Sequence, residues 1–333
     1  MSSVPDSNLT RPSVEPGAHP VESSRYLLLT PIIQQFFEVV CSWIESRVPG
    51  GMIYGMPRLG KTRAIQCLSR LLLERFGESL PIFTHACLDH LRPSESIFFE
   101  DLLRAAGHAL WARGTAAAKR NRLTEFLIER AEHSGQNRIV LFVDEAQKLH
   151  EQHYKWLVDI HNELDRHNIA LIVILVGQPE LMHQFSAFQL TNKTQIIGRF
   201  MVHQFRFRGL RGQKEIRACL ANYDEGSEYP PGSSFSLTRY YFPEAFQAGF
   251  RLEECTPIIW RAFREVREEA QLPVKTELPM QYFCRTIEYA LTRFGTLESL
   301  GREISLAQWK QAIQGSGYSD SERYVVDSEF TNN

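Results

Sequence analysis

The sequence lacks several features that mark specialised classes of protein. Its N-terminus has no basic flank followed by an apolar stretch, so no signal peptide is predicted. No apolar run approaches the ~20 residues that a membrane-spanning helix needs. None of the six cysteines forms a Cys-x-x-Cys pair, which argues against a zinc site or a disulfide framework. The sequence therefore predicts a cytoplasmic protein with reduced thiols and no membrane partner.

An excess of charge of one sign is also missing. The chain has 37 Lys and Arg against 39 Asp and Glu, a formal net charge of −2 over 333 residues. This balance excludes a protein coated in positive charge, but a local stripe of Lys and Arg could still bind nucleic acid. The length allows one large α/β core and a smaller attached domain.

Apolar runs alternate with helical patterns along the first two thirds of the chain. Residues 139–143 and 169–176 are continuous apolar runs, typical of strands buried on both faces of a parallel sheet. The alternation predicts an α/β fold with a doubly wound parallel sheet, followed by a small helical domain. The predicted segments are a disordered N-terminal segment (1–23), an α/β nucleotide-binding domain (24–209), a helical lid domain (210–313) and a flexible acidic tail (314–333).

The most specific motif is a phosphate-binding loop. Residues 55–62 match G-x-x-x-x-G-K-[ST] without deviation. A chance match occurs in roughly one chain of this length per hundred, but a predicted strand before the loop and a helix after it disfavour chance. Lys61 is expected to reach the β- and γ-phosphates, and the Thr62 hydroxyl to ligate Mg²⁺. The residues predicted to contact ATP are Gly55, Met56, Pro57, Arg58, Leu59, Gly60, Lys61, Thr62 and Arg63.

Acidic and polar residues follow the two apolar strands. Asp144 and Glu145 come directly after residues 139–143, about eighty residues beyond the loop. Asp144 is predicted to hold Mg²⁺, and Glu145 to polarise the attacking water as a general base. Gln178 follows the second run and is the candidate for contact with the γ-phosphate or the water. A plain turn residue explains Gln178 equally well.

Arg199 precedes a short apolar stretch that predicts a fifth strand. At a subunit boundary, its guanidinium could neutralise the charge that develops on a neighbour's γ-phosphate. A surface arginine is the alternative, and Arg206 and Arg208 are the fallback candidates.

Together these motifs resemble a family. The loop, the strand ending in Asp144-Glu145-Ala146-Gln147 and the segment from Val176 to Leu181 are similar to the AAA+ ATPases of transposition (TnsC, TniB and MuB), which share a module with ExeA-type secretion ATPases. The resemblance implies a P-loop NTPase sheet of the AAA+ type, ATP and Mg²⁺ as cofactors, and slow, regulatory hydrolysis in the bacterial cytoplasm. It implies rings or filaments of this chain on double-stranded DNA, a TnsB/TniA-like transposase and a TniQ-like targeting factor as partners.

The resemblance also concerns an arginine of the helical lid and the residues that would contact DNA. Many AAA+ lids carry an arginine early in a lid helix, and here Arg261 stands a turn later than that position. Members of the family hold the DNA backbone with basic residues, which read no base sequence. The candidates for DNA contact are Arg92, Lys119, Arg120, Arg122 and Lys148. For any single one of these, a solvated helix start is the better explanation.

Two other functions were weighed from the sequence. An ExeA-like secretion or envelope ATPase would be expected to continue into a transmembrane segment and an envelope-binding domain. A STAND-type signalling NTPase would be expected to carry long repeat arrays and an effector domain. The sequence shows none of these features, so a DNA-binding regulator of transposition is the favoured prediction.

Overall fold

The computed structural model describes residues 11–275, 277–295 and 304–331, with side chains to residue 324. These residues form two compact units. The α/β unit is Ile33–Arg208, and the helical unit combines the described residues before Ile33 with those after Arg208. In chain order the elements are α1 (Pro20–Ser23), α2 (Pro31–Glu45), β1 (Gly50–Tyr54), α3 (Lys61–Phe76), β2 (Ile82–Ala86), α4 (Glu95–Ala105), α5 (Ala116–Ser134), β3 (Arg138–Asp144), α6 (Glu151–Arg166), β4 (Ala170–Gly177), α7 (Glu180–Leu190), α8 (Thr194–Phe200), β5 (His203–Arg206), β6 (Leu210–Arg211), α9 (Gly212–Asp224), α10 (Leu237–Tyr241), α11 (Pro243–Gln247), α12 (Thr256–Glu269), β7 (Glu277–Leu278), α13 (Met280–Phe294), α14 (Leu306–Gly315) and α15 (Tyr318–Thr331).

The α/β unit is built on a parallel sheet with strand order β2-β3-β4-β1-β5. This arrangement confirms the predicted α/β fold. Tyr54 is in register with Gly177 on one side and with Arg206 on the other, and Ala86 is in register with Asp144. The segments that follow β1, β3 and β4 therefore leave the sheet at the same edge, where ligands bind in open α/β sheets.

The two central strands are the most buried part of this sheet. Every residue of β4 after Ala170 is buried, and so is every residue of β3 after Arg138. Strand β1 begins with two glycines because its neighbours come unusually close. A Cβ on Gly51 would lie 2.3 Å from the Trp43 ring of α2, and one on Gly50 would lie 2.5 Å from the carbonyl oxygen of Val173.

The helical unit has its own core, formed mainly by α9, α12, α13 and α14. Trp309, Phe283 and Ile259 are fully buried there. Strands β6 and β7 pair antiparallel at its edge. The sequence predicted a helical domain from residue 210, and the helical unit resumes at Gly209.

The N-terminal segment differs from its predicted disorder. Residues 1–10 lie outside the described residues, but residues 11–23 are ordered and pack on the helical unit. The side chain of His19 is 0% exposed. Its ring stacks on Tyr240 at 4.1 Å between centroids and meets the edges of Tyr229 and Tyr241. Its Nδ1 accepts a hydrogen bond from the Val21 amide. A segment poor in apolar residues is thus ordered by an aromatic cage that comes from distant positions.

The tail also differs from the prediction. The sequence predicted a flexible segment from residue 314, whereas residues 318–331 form helix α15. Tyr318 is fully buried, and the buried Glu322 carboxylate pairs with Arg267 of α12 at 2.7 Å and with Lys275 at 3.0 Å. Residues 332 and 333 lie outside the described residues.

The six cysteines are free thiols, and all except Cys284 are buried. In the part of the chain that the structure describes, no helix has the length and apolar character to cross a bilayer.

The burial of His19 predicts a pH-dependent stability. Burial lowers the pKa of His19 from 6.5 to about 4. Between pH 6.5 and pH 4, the His19 imidazole is protonated in the unfolded chain and neutral in the folded chain. The contribution of buried, neutral His19 to the free energy of unfolding should therefore be fully present above pH 6.5 and decrease as the pH falls toward 4. Below pH 4 this group should cause no further change. The loss is at most about 3 kcal/mol at 1.36 kcal/mol per pKa unit.

Urea unfolding of the wild type and of His19→Gln from pH 7.5 to pH 4 would measure this effect. His85 and His153 also have their pKa lowered to about 4 by burial, so the informative quantity is the difference between the two proteins. We expect His19→Gln to be the less stable protein at pH 7.5 and the gap to narrow toward pH 4. A gap that is constant over this range would contradict the burial of a neutral His19.

Candidate nucleotide site

The predicted phosphate-binding loop lies between the carboxyl end of β1 and the start of α3. A Cβ on Gly55 would come within 2.1 Å of the Phe207 carbonyl oxygen, so only glycine fits where the loop leaves the sheet. Arg58 and Gly60 both adopt left-handed backbone conformations, with φ of +66° and +92°. Left-handed residues in a tight turn direct successive N–H groups to one side and make an anion-binding concavity.

Helix α3 begins at the end of this loop. Its N-cap is Gly60, which has no side chain that could satisfy the first N–H groups of the helix. Free N–H groups and the positive end of the helix dipole both favour a bound anion at this position. The loop and the helix start therefore form the two halves of a polyphosphate cradle.

Lys61 lies inside this cradle and is only 6% exposed. Its Nζ donates hydrogen bonds to the carbonyl oxygens of Gly55 at 2.7 Å and Met56 at 2.9 Å. Burial lowers the pKa of Lys61, and the negative charges of Glu145, Asp144 and Glu180 act in the opposite direction. The ammonium is thus held among neutral carbonyls in a partly desolvated place, where an anion would bind strongly.

Asp144, the last residue of β3, contacts Thr62 at the end of the loop. Its side chain is buried, and Oδ2 accepts a hydrogen bond of 2.6 Å from the Thr62 hydroxyl. Its Oδ1 accepts one from the Glu145 amide at 2.9 Å. The structure therefore places Lys61, Thr62 and Asp144 in one site, although Thr62 and Asp144 are separated by 82 positions in the sequence.

Glu145 follows Asp144 in a left-handed conformation, with φ of +54°. Its Oε2 accepts a hydrogen bond from the Gln147 side chain at 2.8 Å and from the Gln178 side chain at 3.4 Å. The Lys148 ammonium lies 3.8 Å from the same oxygen. Gln178 thus contacts Glu145, and its predicted contact with the γ-phosphate or the water stays a prediction. Gln147 belongs to the motif Asp144-Glu145-Ala146-Gln147, which predicts no role for its side chain.

Arg199 lies away from this cluster. It is on α8, and its carbonyl oxygen is 3.0 Å from where a Cβ of Gly50 would be, at the amino end of β1. Its guanidinium donates to the Asn162 side chain of α6 at 2.6 Å. The P-loop begins at the other end of that strand, roughly 13–17 Å away. The structure therefore does not bring Arg199 to the P-loop of its own chain; the fallback Arg206 is in register with Tyr54, at the loop end of β1.

Two of the five residues predicted to contact DNA, Lys119 and Lys148, form ion pairs within the α/β unit. Lys119 is 3% exposed, forms an ion pair with Glu100 and donates to the Ser96 hydroxyl at 3.1 Å. It therefore holds α5 against α4, and the structure corrects its assignment as a DNA contact. Lys148 pairs with Glu145 at the nucleotide site.

The remaining basic candidates are on the surface. Arg120 pairs with Glu95 at 3.1 Å, and Arg122 donates to two backbone carbonyls of the segment before α5. Arg92 is exposed in the loop between β2 and α4. In the helical unit, Arg261 is exposed and pairs with Glu265 one turn along α12 at 2.7 Å.

Comparison with known proteins identifies the domain. Residues 47–185 match the family described as "AAA domain". They contain the loop, Asp144, Glu145 and Gln178, so this part of the chain is a P-loop ATPase domain of the AAA type. The comparison with curated proteins found no match.

Solved structures give distant matches. The chain is similar to the ORC2 protein of Aeropyrum pernix in its ADPNP–ADP complexes, with 13% identity, 94% of this chain and 71% of that chain covered, and a TM-score of 0.47. It is also similar to domain III of the replication initiation protein DnaA of Thermotoga maritima (15% identity, 87% and 94% covered, TM-score 0.43). A Walker-type ATPase of Pyrococcus abyssi matches with 14% identity, 86% and 88% covered, and a TM-score of 0.43.

Proposed function

We propose that this protein is an ATP-dependent regulator of DNA transposition in the bacterial cytoplasm. In this proposal, ATP-bound copies assemble on double-stranded DNA, link a TniQ-like targeting factor to a TnsB/TniA-like transposase, and disassemble on hydrolysis. The ATP-dependent part is supported chiefly by one observation, the hydrogen bond that joins Thr62 of the loop to Asp144 of β3. The transposition part is supported by the resemblance of the three motifs to TnsC, TniB and MuB.

The residues at the site fit a nucleotide with Mg²⁺. The Thr62 hydroxyl and the Asp144 carboxylate are hard oxygen ligands of the kind that Mg²⁺ requires, and they already lie in contact. When bound, the ion would neutralise charge on the β- and γ-phosphates. Lys61 and the backbone N–H groups of residues 58–62 would bind the phosphates, and the exposed Met56, Pro57 and Arg58 line the solvent side of the loop.

Glu145 is the residue that would accept a proton from the attacking water. Donors from Gln147, Gln178 and Lys148 all approach its Oε2. Within the described part of the chain, Oε1 has no hydrogen-bond partner and so keeps its lone pairs for a water. A carboxylate held by one oxygen and open at the other is suited to general-base catalysis.

The position of Arg199 suits a role at a neighbour's nucleotide. The guanidinium is at the edge of the sheet opposite the loop of its own chain, so it can reach a γ-phosphate only across a boundary between two copies. Hydrolysis would then require assembly, which fits a slow and regulatory ATPase. This requirement ties the enzymatic activity to the proposed filament.

Electron microscopy with ATP, ADP or no nucleotide, each with and without duplex DNA, tests the proposal. We expect filaments or rings on DNA with ATP and their loss with ADP. Turnover per subunit should rise with protein concentration, and DNA binding should weaken at least tenfold between 50 and 200 mM salt because backbone contacts release counterions. Monomers under all these conditions, or turnover that is independent of protein concentration, would refute assembly-dependent hydrolysis.

The transposition role needs its own measurement. Pull-down of a TnsB/TniA-like transposase and of a TniQ-like protein by this chain should depend on ATP. Assembly on DNA without recruitment of either protein would leave a DNA-binding ATPase and remove the role in transposition.

A further inference from the structure

We infer that Gln147 is a positioning residue for ATP hydrolysis, which holds Glu145 in place and links it to the tip of β4. The inference rests on the proposed function, because it concerns the residue that would activate water. It adds to the site a side chain for which the sequence motifs predict no chemical role. The contacts of its amide group carry the argument.

Both polar atoms of the Gln147 side-chain amide form hydrogen bonds. Its Oε1 accepts a hydrogen bond from the Gln178 backbone N–H at 3.1 Å, and its Nε2 donates to Glu145 Oε2 at 2.8 Å. A backbone N–H can only donate, so the oxygen of the amide must face Gln178 and the nitrogen must face Glu145. The orientation of the amide is therefore determined by chemistry, and a flipped amide would lose both bonds.

Gly177 provides the space for this amide. A Cβ at residue 177 would lie 2.5 Å from Gln147 Oε1 and 2.7 Å from Leu181 Cδ1, so a larger residue could be accommodated only by displacing these side chains. Gly177 does not have a positive φ, so its backbone conformation does not require glycine. The last residue of β4 therefore leaves room for the side chain that follows β3.

The backbone of Gln147 is anchored to the core. The Gln184 side chain of α7 donates to the carbonyl oxygens of Gln147 at 2.8 Å and Leu149 at 3.0 Å. Gln184 in turn accepts from the Tyr154 hydroxyl at 2.9 Å, and Tyr154 is completely buried. A side chain supported in this way can hold a carboxylate within a fraction of an ångström, as preorganised catalysis requires.

Both partners of the amide belong to the proposed reaction site. Gln147 fixes one oxygen of Glu145, which leaves Oε1 to face a water. It also ties Glu145 to Gln178, whose own side chain approaches the same carboxylate. A displacement at the tip of β4 would therefore move the proposed base, and loss of the amide should slow hydrolysis without weakening ATP binding.

Steady-state ATPase kinetics and equilibrium binding of a fluorescent ATP analogue, both on the full chain, test this inference. Gln147→Glu keeps the size of the side chain but replaces the donor with a second carboxylate beside Glu145. We expect kcat to fall 10- to 100-fold and the Kd of the analogue to stay within twofold. The matched control is Gln189→Glu, an exposed position on α7, which should change none of these values.

Gly177→Ala is the second variant, and it alters none of the polar groups. Its methyl group would displace the Gln147 amide and the Leu181 side chain, so kcat should fall by a similar factor while the Kd of the analogue stays within twofold. Gln147→Ala introduces no charge and replaces the first variant if the glutamate disturbs folding. Its kcat should also fall at least tenfold.

The outcomes separate this inference from the proposed function. A wild-type protein that neither binds nor hydrolyses ATP would refute the proposed function itself. If the wild type hydrolyses ATP, unchanged kcat in both Gln147 variants would overturn the inference. A fall in kcat with a loss of nucleotide affinity by the same factor would also overturn it. So would a fall in kcat with a lowered melting temperature, because the residue would then be purely structural.

Discussion

Replacing Lys61 with alanine is expected to weaken ATP binding by 10- to 100-fold or more and to abolish measurable hydrolysis. Lys61 is the buried cation of the loop, and charge-assisted hydrogen bonds of the kind it would make to phosphate contribute about 1.5–3 kcal/mol each. The folded protein should not lose much stability, because burial already lowers the pKa of Lys61 and so disfavours its charged form. Isothermal titration with ATP and a phosphate-release assay would measure the two effects.

Arg70→Ala is the matched control for this variant. Arg70 is an exposed cation on the same helix, two and a half turns beyond the loop. We expect its removal to leave both ATP affinity and turnover within twofold of the wild type. A Lys61→Ala protein that still binds ATP with wild-type affinity would show that the loop does not hold the triphosphate.

The central part of this site could be predicted because it depends on short-range chemistry. The loop from Gly55 to Thr62 has a fixed spacing of residues, and its conformation needs glycine at given positions. The apolar run before Asp144 is long enough to identify a buried strand without knowledge of its neighbours. Once the strands are parallel, the segments that follow their carboxyl ends lie at one edge of the sheet. Asp144 after β3 and Thr62 after β1 meet there, although β4 lies between the two strands.

The prediction that Lys119 contacts DNA was wrong because this side chain is buried. Successive residues on a helix point in directions about 100° apart, so Arg120 lies on a different face from Lys119 although the two are adjacent in the sequence. The buried residues of α5 are Lys119, Leu123, Leu127 and Ala131, spaced four apart. This periodicity is visible in the sequence and could have placed Lys119 on the inner face of the helix. Its partner Glu100 could not have been inferred, since it comes from another helix.

The ends of the chain depended on packing that no local pattern reveals. His19 is buried only because Tyr229, Tyr240 and Tyr241, more than 200 residues away, form a cage around it. Glu322 appeared to be one of several acids in a polar tail, but Arg267 and Lys275 bind it on the helical unit. The role inferred for Gln147 has the same origin, because Gly177 and Gln178 reach it from a different strand.

Replacing Glu145 with glutamine is expected to lower kcat by 100- to 10,000-fold while ATP binding is retained. The glutamine has nearly the same shape, so Asp144 and Thr62 should keep their contact and the Mg²⁺ ligands should remain in place. It removes the basic oxygen that would take the proton from water, and general-base catalysis contributes about 10²- to 10⁴-fold. Phosphate release and binding of a fluorescent ATP analogue would separate turnover from affinity.

This variant also tests the link between hydrolysis and assembly. If hydrolysis drives disassembly, Glu145→Gln should form ATP-dependent filaments on DNA that persist, whereas Lys61→Ala should form none. Glu132→Gln, the same exchange at an exposed position of α5, is the control and should behave as the wild type. Filaments of Glu145→Gln that disappear as quickly as those of the wild type would mean that phosphate-bond cleavage does not time the disassembly. Assembly would then respond to nucleotide binding alone.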